Sequence, residues 1–153
     1  NEVEIPMSKL KVQNPIVHTP TYKESIIDGM SIYSKITGMG YKMPLGLLDS
    51  TYYYTDLEGW GNVLWDLVFK SALYKADRFD CENFAFKAMS LCAEKYGLNT
   101  LGVVIGNIPL GRHGFNILFH GDGFKLFEPN EGFGYGGLFE IGEHGYTIDW
   151  VII

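Results

Sequence analysis

Asp80-Cys81-Glu82-Asn83-Phe84-Ala85-Phe86-Lys87-Ala88-Met89-Ser90-Leu91-Cys92-Ala93-Glu94-Lys95-Tyr96-Gly97 is the stretch from which the rest of the chain is read, because it places a thiol where a helix begins. Asp80 is a good N-cap, which makes Cys81 the first helical residue. Ala85, Ala88, Met89, Cys92, Ala93 and Tyr96 then recur at helical spacing along one face, and Gly97 supplies a stop. Cys81 therefore sits at the positive end of a helix, where unpaired N–H groups and the macrodipole favour thiolate over thiol. The flanking carboxylates of Asp80 and Glu82 act the other way. Without further partners, such a cysteine is a small hydrophobe of the core.

The bulk properties narrow the alternatives. At 153 residues, 46% hydrophobic and 15% aromatic, the chain suits one globular domain with a sizeable core, spanning residues 1–153. A net charge of -6 and a pI near 5.1, with no local run of lysine or arginine, argue against nucleic acid as a partner. No apolar run approaches about 18 residues, so no membrane span is expected. The start at Asn1-Glu2-Val3, with neither Met nor a signal-peptide pattern, is what a processed chain or an excised piece would show. Cys81 and Cys92 would lie about 16 Å apart along one helix, beyond disulfide reach. Both thiols are expected free, which favours a reducing or cytoplasmic compartment or a thiol with a chemical task.

Around the central stretch, residues 1–50 read as an extended arm and loops: Pro6, Pro15 and Pro20 punctuate the first part, and a short helix is expected between Lys23 and Lys35. Thr51-Tyr52-Tyr53-Tyr54-Thr55 reads as a strand, with Asp56 capping an amphipathic helix. Trp60, Val63, Leu64, Leu67 and Val68 form its apolar stripe, to about Leu73. Beyond Gly97 the period changes. Leu101 to Gly106 reads as a buried strand. Arg112 to His120 alternates, with His113, Phe115, Ile117 and Phe119 on one face; Gly114, beside His113, leaves room above the strand. Gly121-Asp122-Gly123 is turn chemistry, Phe124 to Glu128 returns, and Tyr146 to Ile153 is a last strand. The expected fold class is α+β, with helices packed on an antiparallel sheet.

A nucleophilic thiol needs a base within hydrogen-bond reach and a third group to orient that base. Cys81, His113 and Glu128 offer these in chain order. Any even-length turn between the two strands sets His113, Glu128 and Asn130 on one face. A turn centred on Gly121-Asp122 would put His113 opposite Asn130, with Glu128 diagonal at roughly 7–8 Å between Cα atoms. A tighter Asp122-Gly123 turn would hand the orienting role to Asn130. Gly132 to Gly137 formally fits GxGxxG but opens no helix, so it reads as loop. His120 and His144 read as surface turn residues, and no zinc-ligand spacing is present.

The segments Asp80-Cys81-Glu82-Asn83-Phe84-Ala85, Arg112-His113-Gly114-Phe115-Asn116 and Phe127-Glu128-Pro129-Asn130 together resemble the papain-like and transglutaminase-like cysteine-enzyme superfamily. The nearest resemblance is to the calcium-dependent papain-like domain of mushroom agglutinins and to small phage-borne relatives. It implies a papain-like/transglutaminase-like core over residues 51–153 and a triad of Cys81, His113 and Glu128, or Asn130 as third member. It further implies a cysteine hydrolase, a peptidase or amidase working through a thioester on a peptide or protein substrate. An acyl or glutamyl transferase would use the same triad, and a non-catalytic interaction or structural module would keep only the fold. Where papain-type enzymes carry an oxyanion-hole Gln before the nucleophile, this chain reads Leu73-Tyr74-Lys75-Ala76-Asp77, and its one glutamine is Gln13. No cofactor is required by this reading. Calcium is implied by the resemblance alone, with Asp49, Asp56, Glu58, Asp77, Asp80 and Glu82 as its oxygen donors.

Overall fold

Strand-forming and helix-forming residues alternate in a simple order in the computed structural model, which describes residues 22–133 and 138–153. Strand β1 (Ser25–Asp28) leads into helix α1 (Gly29–Gly38), β2 (Thr51–Tyr54) into α2 (Leu57–Val63), and then comes α3 (Cys81–Tyr96). The second half is β: β3 (Leu101–Ile108), β4 (Gly111–Phe119), β5 (Phe124–Phe127), β6 (Leu138–Phe139) and β7 (Thr147–Ile152). β1 and β2 pair as a two-stranded sheet, and the other five form an antiparallel sheet in the order β6-β5-β4-β3-β7. The arm expected over the first part of the chain, with His18, lies outside the described residues up to position 21.

Local chemistry explains the helix bounds. The Asp28 carboxylate accepts from the Ser31 N–H, and the Asp56 carboxylate from the Gly59 N–H, each at 2.9 Å. At the start of α3, the Asp80 N–H donates to Asn83 Oδ1 at 3.1 Å. Gly97 ends α3 in the left-handed region at φ 67. Two expected helices differ from those observed. Ser25–Asp28 pairs with Thr51–Tyr54, so the expected Lys23–Lys35 helix begins only after Asp28. The helix expected to about Leu73 stops at Val63 and tightens into a 3-10 turn over Leu64–Asp66. Gly59 and Gly61 weaken it from within.

The core explains why the expected layering needs correction. β4 is buried on both faces from His113 to Phe119. Phe115, Ile117 and Phe119 join Ile32 and Ile36 of α1, Tyr52 of β2, and Tyr146 in one cluster. Leu118 joins Trp60, Val63, Leu64, Leu67, Ala88, Cys92 and Tyr96 in the other. The expected α+β class, helices packed on an antiparallel sheet as a papain-like/transglutaminase-like core, gives way to a mostly β structure with few helices. The architecture is dominated by β-sheet. A two-stranded sheet with α1 covers one face, and α3, the one described helix longer than ten residues, packs on β3 and β4 with α2 beside it. A strand buried on both sides needs cover on both sides. No described helix is long and apolar enough to cross a membrane.

Candidate functional site

Cys81 is the first residue of α3 and remains partly exposed, whereas Cys92, three turns further on, is fully buried; both are free thiols. Burial pushes the Cys92 thiol far up from its ordinary range, with the nearby Asp66 carboxylate adding to the effect. Only Cys81 therefore has both access to solvent and a helix N-terminus behind it.

His113 comes to the sulfur from β4. Register does part of the positioning: β4 and β5 pair with Phe119 opposite Phe124 and Asn116 opposite Phe127, around a turn centred on Gly121-Asp122. Glu128 thereby follows β5 within reach of the ring. His113 Nε2 and Glu128 Oε1 are 2.5 Å apart, with both side chains almost wholly buried. Cys81 lines the same cleft as the ring, and its sulfur adds to what favours charge on His113. Burial works against charge on the ring, but the hydrogen bonds to Cys81 and Glu128 and the carboxylate charge outweigh it, raising the His113 pKa to about 9. The ring is thus an imidazolium at neutral pH. Phe133, Phe115 and Tyr146 enclose it, with centroids 4.8, 5.9 and 5.9 Å away.

Glu128 is itself held on both oxygens. Oε1 also accepts from the Tyr146 hydroxyl at 2.9 Å, and Oε2 from the Asn130 N–H at 3.1 Å. The Asn130 side chain turns to the loop, its Oδ1 accepting from the Gly132 N–H at 2.9 Å. Of the two candidates for third member, Glu128 is the one bonded to the ring, and Asn130 supports it through the backbone. Gly114 sets the helix against the strand. A Cβ there would lie 2.8 Å from Glu82 Cα and 3.0 Å from its nitrogen, so the start of α3 rests directly on the β4 backbone one residue from each reacting group.

The sulfur opens onto a cleft of about 280 Å³. Tyr74, Leu110, Arg112, Asn130 and Phe133 are among its walls. Tyr74 is half exposed, and Leu110, at the tip of the β3–β4 hairpin, is almost wholly so. Arg112 pairs with Asp149 and lies over the Trp150 ring at 5.4 Å.

The residues expected to hold calcium do not converge. Among the described residues, the one group of three or more candidate ligands is Asp80, Cys81 and Glu82, which Asp49, Asp56, Glu58 and Asp77 do not join. Two carboxylates and a sulfur are the side-chain donors brought together there. Glu82 binds its proton more tightly than an ordinary carboxylate, chiefly through a hydrogen bond with Asp80. It also accepts from the Cys81 thiol at 3.5 Å. His144 sits in a turn at φ 57 and His120 at the β4–β5 turn, and neither joins a ligand cluster among the described residues. Of the glycine-rich segment, Glu131–Phe133 form a 3-10 turn and 134–137 lie outside the described residues. Tyr146 and Phe133 are the site residues that sequence reasoning missed. Nothing local to Tyr146 marks it, since its partner is distant in the chain.

No family model matches the chain, and no curated protein does. The fold is similar to two solved structures. One is the PSL1a-E64 complex, with a TM-score of 0.61 and 17% identity over 84% of this chain and 51% of that one. The other is Polyporus squamosus lectin bound to a human-type influenza-binding epitope, Neu5Aca2-6Galb1-4GlcNAc, with a TM-score of 0.59 and 15% identity over 84% of this chain and 49% of that one. The chain thus spans about half the length of the solved structures it matches. The second is named as a lectin, and at these identities the likeness speaks for the fold alone. That fold runs against the expected place in the papain-like and transglutaminase-like superfamily, and the cysteine hydrolase function and the peptide or protein substrate implied by that place are left without support. Three short motifs in one third of the chain suggested that family; the backbone likeness extends over most of it.

Proposed function

We propose that the cleft at the start of α3 is an activated-thiol site. Cys81 carries the reactive sulfur, His113 takes and holds its proton, Glu128 orients the ring and stabilises its charge, and Asn130 fixes Glu128 through its N–H. The observation that carries this reading is a buried imidazole–carboxylate pair at the wall of a cleft onto which the Cys81 sulfur opens. Iodoacetamide tests it directly: a carbon–sulfur bond forms, iodide leaves, and the thiol proton stays on His113. At pH 6, Cys81 should alkylate at least ~10-fold faster than a cysteine in a short peptide. Cys92 should not react in the folded chain. His113→Ala should remove the advantage. A Cys81 rate indifferent to His113 would sink the proposal.

A second reading, that the same cleft recognises carbohydrate, is favoured by the lectin bound to a sialylated epitope among the similar structures. The exposed face of Tyr74 offers an apolar platform for a sugar ring, and Arg112 and Asn130 offer polar partners at the rim. Titration with the Neu5Aca2-6Galb1-4GlcNAc trisaccharide, followed by NMR, should shift the Tyr74 and Arg112 signals saturably. An unperturbed spectrum at millimolar sugar would exclude this ligand.

A further inference from the structure

Tyr146 follows the 3-10 turn Glu143–Gly145 and is buried to 1% exposure just before β7. Its ring is wedged between Phe115 and Phe139, with centroids 4.8 and 4.9 Å away, so packing fixes the phenol independently of any hydrogen bond. The hydroxyl reaches Glu128 Oε1 at 2.9 Å, the same oxygen that His113 Nε2 meets at 2.5 Å. Two donors from different elements converge on one carboxylate oxygen, while the Asn130 N–H occupies the other. A buried carboxylate keeps its charge only when donors replace the water it has lost.

We infer that Tyr146 is a positioning residue of the thiol site: its O–H holds the Glu128 carboxylate in line with the His113 ring. This rests on the reading of Cys81, His113 and Glu128 as one site. Loss of the phenol donor would leave Oε1 with His113 alone and let the carboxylate turn from the ring, which would then hold its proton less tightly. The ring would then stabilise an ionised Cys81 less well. Among the described residues, other ionisable groups near His113 include Cys81, Asp80 and Glu82 at the tip of α3, Arg112 beside it on β4, and Tyr74 across the cleft. Tyr146→Phe changes none of them.

The test is the His113 ring titration by NMR, together with the Cys81 alkylation rate, in the wild-type chain and in Tyr146→Phe. Phenylalanine preserves the contacts with Phe115 and Phe139. The ring midpoint should fall by about one pH unit, and alkylation at pH 6 should slow by roughly tenfold. In a Glu128→Gln background, Tyr146→Phe should add nothing further, because its target carboxylate is gone. An unchanged midpoint, or an equal loss in the Glu128→Gln background, would overturn the inference. Should Tyr146→Phe not fold, the link is read from the labelled phenol carbon of Tyr146, which should shift on Glu128→Gln; no shift overturns it equally. Indifference of Cys81 to His113→Ala would remove the thiol-site reading instead, and the ring titration would still report on Tyr146.

Discussion

Burial alone would make His113 give up its proton; at 5% exposure the ring stays charged only because Cys81 and Glu128 offer it hydrogen bonds and opposite charge. The linkage to stability follows in sign. The folded value is raised to about 9 from an ordinary 6.5, so the folded chain binds this proton more tightly than the unfolded chain does. The contribution is fully present below pH 6.5 and is lost as pH climbs through 9. Urea unfolding should therefore show the chain losing about 1–3 kcal/mol between those limits. Glu128→Gln, which removes the compensating charge, should flatten that slope. A wild-type stability that holds level or rises over the same interval would contradict the charged ring.

The meeting of α3 with β4 is controlled by Gly114. A side chain there would collide with the Glu82 backbone, which cannot swing aside as a flexible side chain can. Gly114→Ala should cost about 1–3 kcal/mol in denaturant unfolding. It should also slow Cys81 alkylation, because the helix tip would lift the sulfur from the ring. Gly38→Ala, at the end of α1 with nothing near its Cβ position, should leave both within error. Equal effects of the two substitutions would show that close approach at Gly114 does not matter. Elements also explain which local readings held. α3 was legible because its cap at Asp80 and its left-handed stop at Gly97 are encoded within a turn of each end. The apolar stripe after Asp56 was legible as core but not as one helix. Phe69 pairs with the Pro129–Glu131 segment instead, its N–H donating to Pro129 and its carbonyl accepting from Glu131. That pairing, distant in sequence, draws the chain out of helix beyond Leu67.

Across the whole molecule, what could be read in advance depended on the sequence distance over which each feature is decided. Caps, the Gly121-Asp122 turn and the alternation in β4 are short-range. They sufficed to bring His113 and Glu128 to one face and to start a helix at Cys81. Three motifs with that spacing do not determine a fold, because one side-chain constellation recurs on unrelated architectures. The papain-like expectation rested on those motifs alone, which is why a backbone likeness to a protein named as a lectin runs against it. By itself, the sequence determined the helix bearing the thiol, the shared face of His113 and Glu128 and the acidic net charge, all set by neighbouring residues or by summed charge. Tertiary structure alone decided the cover on both faces of the sheet, the abrupt end of α2, and the delivery of Tyr146 to Glu128. Each of these depends on which distant apolar surfaces and hydrogen-bonding groups find one another once water is expelled.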